Sequence, residues 1–123
     1  MEYSFSFEKL EAWKESRLLA TKIYKITIGF PDYEKFGIVS QMRRSVISVS
    51  SNLAEGSSRN TFKEQAYFYQ MAYGSLMELL SLLIISTDLG FMSENTLNEI
   101  RADLEKTSRL TGALRKSRIN TKP

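Results

Sequence analysis

A chain of 123 residues with 42% hydrophobic residues is long enough for one domain with its own core and too apolar for a disordered segment. It contains neither cysteine nor histidine, which excludes disulfides, cysteine–histidine zinc sites, Glu-x-x-His di-iron sites and histidine-based nucleophile systems. The net charge is +3, and residues 106–123 carry basic but no acidic side chains. These counts predict a cytoplasmic, non-enzymatic protein with no metal and no cofactor.

Four helices are predicted, because apolar residues recur at three- and four-residue steps and no strand-like alternation occurs. They cover about residues 7–28, 33–55, 62–89 and 94–116. The boundaries follow from N-cap residues at Asp32, Thr61 and Ser93 and from glycines that end helices at Gly29, Gly56 and Gly90. Gly56 is expected in a left-handed conformation. Long helices joined by short loops favour an antiparallel up-down-up-down four-helix bundle, with residues 1–123 as a single domain.

The third predicted helix is the most apolar segment of the chain. Between residues 65 and 87 the only charged residue is Glu78. The longest strongly apolar run, residues 79–85, is shorter than the roughly 18–20 residues that a membrane span needs, so no membrane is expected. Apolar side chains nevertheless cover all sides of this helix, and no helix is central in a four-helix bundle. The second apolar face needs a partner, and the sequence therefore predicts a homo-oligomer.

The second predicted helix has two distinct faces. At about 100° per residue, one apolar arc is shared by Ile38, Val39, Met42, Val46, Val49 and Leu53. Across the helix lies a polar stripe that consists of Gln41, Arg44, Ser45, Ser48, Asn52 and Glu55. One interpretation of this stripe is a solvated outer face. The other is a hydrogen-bonding seam between helices or subunits, because Ser and Asn are poor helix formers that an exposed face has little reason to collect.

Glu78 is a candidate partner for the polar stripe. If the second and third helices pair about the turn at residues 58–60, Arg44 lies near residue 75, one turn from Glu78. A buried Glu78 would need a partner, for which Arg44 is the first candidate and Gln41 the second. The alternative is that Glu78 points to water at the edge of the bundle.

The segment from Gln41 to Gly56, QMRRSVISVSSNLAEG, followed by Arg59, resembles the signature of the bacterial four helix bundle protein family, also called 23S rRNA intervening-sequence proteins. Agreement extends over most of the chain, at Leu10, Trp13, Phe30-Pro31, Gly74-Ser75-Leu76 and Glu78. The resemblance implies a ring-like homopentamer. It also implies a relationship to the accessory protein of diversity-generating retroelements, a similar pentamer that works with a reverse transcriptase and nucleic acid. The residues alone predict an oligomer, and the number five comes from the family.

Binding is the kind of function that this composition leaves open. The candidate contacts to RNA or DNA are Arg43, Arg59, Arg109, Arg115, Lys116 and Arg118. Clustered cations that neutralise phosphates would make such binding salt-dependent and largely independent of sequence, and a ring would repeat each patch. Cations near a helix C-terminus also have a purely structural explanation, since they stabilise the helix dipole. The alternative function is a scaffold oligomer that binds a protein or a small ligand, with tyrosines that line its surface or simply pack: Tyr67, Tyr69 and Tyr73.

Overall fold

The computed structural model describes residues 5–119, so residues 1–4 and 120–123, which include Lys122 of the basic tail, lie outside the described range. The α-helices are α1 (Glu11–Ile28), α2 (Ile38–Ser57), α3 (Phe62–Asp88) and α4 (Glu94–Ile119). Short 3-10 helices cover Ser6–Lys9 and Asp32–Glu34, and residues 5–119 contain no strand. The predicted all-α fold with four helices is confirmed.

Each helix packs against two neighbours, because α1 and α3 both contact α2 and α4. Within residues 5–119 the diagonal pairs, α1 with α3 and α2 with α4, make no close backbone approach. The helices therefore surround one core and form a four-helix bundle. All four helices contribute buried aliphatic side chains to this core, whose removal from water is the main stabilising term. The apolar arc predicted on α2 is confirmed, since all of its residues are buried.

Two helices begin later than the sequence predicts. α1 starts at Glu11 and not near residue 7, because Leu10 is extended (φ −71°, ψ 123°) and separates α1 from the preceding 3-10 turn. α2 starts at Ile38 and not near residue 33. Asp32 begins a 3-10 turn, and the Glu34 carboxylate accepts a hydrogen bond from Ile38 N at 3.0 Å. The first amide of α2 therefore has Glu34 as its acceptor, and Asp32 does not cap this helix.

Gly56 lies inside the last turn of α2, which continues to Ser57. The predicted left-handed conformation of Gly56 is wrong. Within the described range only Gly90, at φ 79°, has a positive φ. A Cβ at Gly56 would lie 2.8 Å from both Phe68 Cβ and Tyr69 Cε1 on α3. Carbon atoms do not approach so closely, so Gly56 is needed for the contact between α2 and α3.

The predicted N-caps of the last two helices are confirmed. Glu64 N donates to Thr61 Oγ1 at the start of α3, and Thr96 N donates to Ser93 Oγ at the start of α4, both at 3.1 Å. Gly90 follows the end of α3 as predicted. α4 extends to Ile119, beyond the predicted end near residue 116. The loops on either side of α3, residues 58–61 and 89–93, are as short as the sequence indicates, whereas residues 29–37 between α1 and α2 form a longer connection.

α3 is buried on one side and apolar on the other. The exposed side, here named the α3 face, consists of Tyr67, Met77, Ile84 and Ile85 around the carboxylate of Glu78. By length and composition Phe62–Asp88 is long and apolar enough to cross a membrane. The prediction that this helix is too short for a membrane span, which used only its longest apolar run, is therefore corrected. A core helix of a protein bundle meets the same criterion, and α3 buries a row of leucines against the other helices. The α3 face is thus an apolar surface that one chain alone leaves uncovered.

We predict that Gly56→Ala lowers the free energy of unfolding by about 1–3 kcal/mol, because the added methyl group would force α2 away from α3. Gly74→Ala is the matched control, since no atom lies within 4 Å of an added Cβ on this exposed position of α3. It should raise the free energy of unfolding by about 0.5–1 kcal/mol through helix propensity. Urea unfolding followed by circular dichroism measures both variants. Equal effects would contradict the close-contact role of Gly56.

Candidate nucleic-acid interface

Part of the polar stripe forms a hydrogen-bonded network between α2 and α3, here named the serine network. The buried Ser45 hydroxyl donates to the Ser75 carbonyl at 2.8 Å, and the Ser75 hydroxyl donates to Ser48 Oγ at 3.0 Å. Asn52 Nδ2 donates to the Ser48 carbonyl at 2.9 Å and to Ser48 Oγ at 3.1 Å. Hydrogen bonds of this kind offset the cost of burying polar groups. This part of the stripe therefore joins two helices of the same chain.

The other stripe residues, Gln41, Arg44 and Glu55, are exposed on the outer edge of α2. Glu55 pairs with Arg59 through Oε1 and Nη2 at 2.8 Å. Arg44 has no ion-pair partner within residues 5–119, and Glu78 on α3 is exposed as well. The predicted buried pair of Arg44 and Glu78 is wrong within one chain, because helical rotation carries Glu78 about 140° around α3 from the core-facing side. Glu78 points to water, which is the alternative that the sequence left open.

A groove of about 630 Å³ between α3 and α4 collects three of the predicted nucleic-acid contacts. Arg109 and Lys116 lie two helical turns apart on one face of α4, and Arg115 is beside them. Gln70 and Tyr73 form the α3 wall, and no acidic side chain among residues 5–119 lines the groove. Cations next to an aromatic ring suit the phosphates and bases of a nucleic acid. We name this site the α3–α4 groove; its remaining lining residues are Ser108, Gly112 and Ala113.

Two residues that line the α3–α4 groove have buried polar atoms without a hydrogen-bond partner within residues 5–119. These atoms are Ser108 Oγ and Arg115 Nε, and the Ser108 side chain is only 9% exposed. A buried donor left unpaired costs about 1–3 kcal/mol, so an acceptor that reaches either group would offset that cost. Gly112 keeps this wall open, since the nearest atom to an added Cβ is Tyr73 Cε2 at 3.9 Å. The groove is therefore suited to an anionic ligand.

Arg59 and Arg118 lie together at the end of the bundle near the α2–α3 loop. Gln65 connects them, because its Nε2 donates to the Arg59 carbonyl at 3.0 Å and its Oε1 accepts from Arg118 Nε. Each guanidinium also lies over an aromatic ring, Arg59 over Phe68 at 4.6 Å and Arg118 over Phe62 at 4.9 Å. Both side chains are held by the protein itself, so they are less available to a ligand than those in the α3–α4 groove.

Tyr69 lies beneath this end of the bundle. Burial raises the pKa of its phenol above the ordinary value of 10.0, and the positive charge of Arg118 opposes that shift. The phenol therefore stays neutral at physiological pH. Tyr69 is a core residue, packed close to Gly56, and does not line the α3–α4 groove.

Arg43 lies apart from the other predicted contacts, on the side of the bundle formed by α1 and α2. Its guanidinium lies 4.6 Å from the centre of the Tyr24 ring, and its Nε donates to Thr27 Oγ1 at 2.9 Å. The six predicted contacts thus occupy three separate places. Gln70 and Ser108 line the groove although the sequence did not predict them as contacts. Ser108 and Gly112, four residues apart, leave a gap on one face of α4 beside the basic residues, and this spacing was the available signal.

Comparison with known protein families gives one match, which covers residues 8–113 and carries the description 23S rRNA-intervening sequence protein. The chain belongs to the 23S rRNA-intervening sequence protein family. The resemblance seen in the sequence is confirmed, and a comparison with curated proteins finds no match. The matched range of this family member ends at residue 113, so it includes Arg109 but not Arg115, Lys116 or Arg118.

In this family member we predict that Ser45→Ala lowers the free energy of unfolding by about 1 kcal/mol relative to Ser51→Ala. Both substitutions remove a serine from α2 and gain the same helix propensity, but Ser51 is exposed and lies outside the serine network. The difference between them isolates the hydrogen bond from Ser45 to α3, and urea unfolding measures it. Indistinguishable stabilities would mean that the serine network contributes nothing to the contact between α2 and α3.

Proposed function

We propose that the protein is a non-enzymatic, cytoplasmic homo-oligomer that binds nucleic acid, RNA in the first instance, through the α3–α4 groove. The observation that carries this proposal is a groove in which the described residues place three cations, no acidic side chain and two buried polar atoms without a partner among them. The family description, which refers to 23S rRNA, supports RNA as the first ligand to test. A relationship to the accessory protein of diversity-generating retroelements is part of the same proposal.

The proposed binding mode combines charge with stacking. Arg109 and Lys116 neutralise phosphates, while Arg115 and Ser108 donate to phosphate oxygens from inside the groove. The Tyr73 ring can stack on a base or a ribose. Such stacking does not discriminate between bases, because every base has a flat face. Binding of this kind selects single-stranded or structured RNA by shape and charge and not by sequence.

We further propose that the chain assembles as a ring-like homopentamer of antiparallel up-down-up-down bundles. The exposed α3 face supports an oligomer, because it is an apolar surface that needs a partner. The number five comes from the family resemblance.

The order of contacts along the helices supports the antiparallel arrangement. Ser16 on α1 bonds to Ser50 on α2. Thr27, eleven residues later on α1, bonds to Arg43, an earlier residue on α2. Ascending positions on α1 thus meet descending positions on α2, as in an antiparallel pair. The same reversed order holds for the ion pairs between α1 and α4, which are Glu15–Lys106 and Lys22–Asp103.

We predict a native particle of about 70 kDa by light scattering, five times the 14.1 kDa of one chain. Ile85→Asp should lower this mass without loss of helical circular dichroism, because Ile85 is exposed in the single chain and lies on the α3 face. A wild-type particle with the mass of one chain would contradict the oligomer and the explanation of the α3 face.

Filter binding of a structured RNA at several salt concentrations tests the groove. Neutralising its three cations should reduce the slope of log K against log salt by about 2–3, since each phosphate contact contributes about 0.7–0.9. The test variant combines Arg109→Gln, Arg115→Gln and Lys116→Gln. The matched control, which removes the same charge elsewhere on the surface, combines Lys9→Gln, Lys22→Gln and Arg101→Gln.

The control should keep most of the wild-type slope, and circular dichroism should show both variants folded. No binding of the wild-type protein at low salt would rule out the nucleic-acid proposal. Binding with a shallow salt dependence, equal in all three proteins, would instead favour a scaffold that binds a protein or a small ligand.

A further inference from the structure

A second exposed surface lies on the opposite side of the bundle from the α3–α4 groove. Two adjoining depressions between α1 and α2 share Tyr24 and Ile47, and together they are named the α1–α2 surface. The larger one, of about 580 Å³, is almost entirely apolar. Ile28 lines this larger depression and is 77% exposed, and Phe36 lines the smaller one and is 91% exposed. Such large apolar side chains grouped in one place are typical of an interaction surface.

The α1–α2 surface is also positively charged. Within the described part of the chain no acidic residue lines either depression, and the cations that line them are Arg17, Lys25, Lys35, Arg43 and Arg44. Arg43 is held over Tyr24, but Arg44 is exposed and has no ion-pair partner within the described residues. An occupant of this surface must therefore be apolar and carry negative charge.

The α3 face has both of these properties. Its exposed side chains are apolar, and the single charge among them is the carboxylate of Glu78. Glu78 is exposed and, like Arg44, has no ion-pair partner within residues 5–119. The two surfaces are thus opposite in charge, and both expose apolar side chains that a partner would bury.

We infer that the α1–α2 surface of one copy receives the α3 face of a second copy, with Glu78 of that copy paired to Arg44. This inference rests on the proposed homo-oligomer and identifies its interface. Contact between two identical surfaces is disfavoured, since it would oppose Glu78 to Glu78, or the cations of one α1–α2 surface to those of another. Two different surfaces produce a head-to-tail contact, which closes into a ring when the rotation between copies allows it.

The apolar parts of the contact supply most of the affinity. Aromatic side chains of the α1–α2 surface, among them Trp13 and Tyr24, would pack against Met77 and Ile85 of the second copy. The pair of Arg44 and Glu78 selects the partner surface and its orientation. This arrangement also places the exposed members of the polar stripe, Gln41 and Glu55 included, along the edge of the interface.

A charge exchange tests this inference. Arg44→Glu and Glu78→Arg should each raise the dissociation constant of the oligomer at least about tenfold, because each variant opposes like charges across the interface. The double variant, which restores opposite charges in exchanged positions, should return to within a few-fold of wild type. Arg101→Glu on α4 is the control for the reversed charge and should leave the mass unchanged, since Arg101 lines neither surface and its ion pair with Glu105 lies within α4. Light scattering across a dilution series measures all five proteins.

Each outcome decides the inference. If the wild type is an oligomer and the single variants keep its mass, or if the double variant is not rescued, the interface is wrong while the proposed oligomer stands. A monomeric wild type would overturn both. If Arg44→Glu weakens RNA binding and leaves the mass unchanged, the α1–α2 surface is a nucleic-acid site and the inference fails. The double variant could also restore the free energy of unfolding of the dilute monomer without restoring the mass of the oligomer. That result would place the Arg44–Glu78 pair within one chain and would overturn the inference.

Discussion

The close contact between α2 and α3 determines how the rest of the bundle is arranged. Gly56 allows the two helices to approach near one end, and the hydrogen bond from Ser45 to the Ser75 carbonyl holds them in register at the middle. A helix that is fixed at two points along its length cannot rotate about its axis. The contact therefore decides that Val46 and Leu53 face the core and that Arg44 faces outward.

The polar groups of the structure separate into two kinds. In the serine network each buried hydroxyl has a partner in the same chain, so the network stabilises the packing and has no free group to offer a ligand. In the α3–α4 groove the Ser108 hydroxyl and Arg115 Nε are buried without a partner among the described residues. Arg59 Nε and Thr111 Oγ1 are also buried without a partner among the described residues, so the groove is distinguished as the candidate site by its three cations together with its unpaired donors.

The core could be predicted from the sequence because it depends on periodicity alone. The apolar arc of α2 was recovered in full, as were the caps at Thr61 and Ser93, since each of these signals is local. The errors arose where one residue type has two roles. Glycine ends helices and also permits close packing, and only the position of Phe68 on α3 decides which applies at Gly56. Glu34 caps α2 from a turn whose geometry no periodic pattern encodes.

The candidate site was harder to predict because it depends on two helices at once. Arg109 and Lys116 were found from their charge, but the groove also needs Gln70 and Tyr73 from α3 opposite them. Basic residues that form one cluster in the sequence are separated by the fold, since Arg118 is bonded to Gln65 and does not line the groove with Arg115 and Lys116. The relation between charged residues on neighbouring helices is a tertiary property, which linear spacing does not contain.

Under the proposed assembly, the interface and the nucleic-acid site are neighbours on α3. Tyr73 lies about 140° around α3 from Glu78 but only about 40° from Met77 and about 20° from Ile84, so the α3–α4 groove borders the edge of the interface. Three cations in one groove would give weak, salt-sensitive binding, as a net charge of +3 also indicates. Copies in a ring would present several such grooves to one RNA, and each contact after the first would form at high effective concentration. Affinity for RNA would then depend on the Arg44–Glu78 contact, although neither residue touches the nucleic acid.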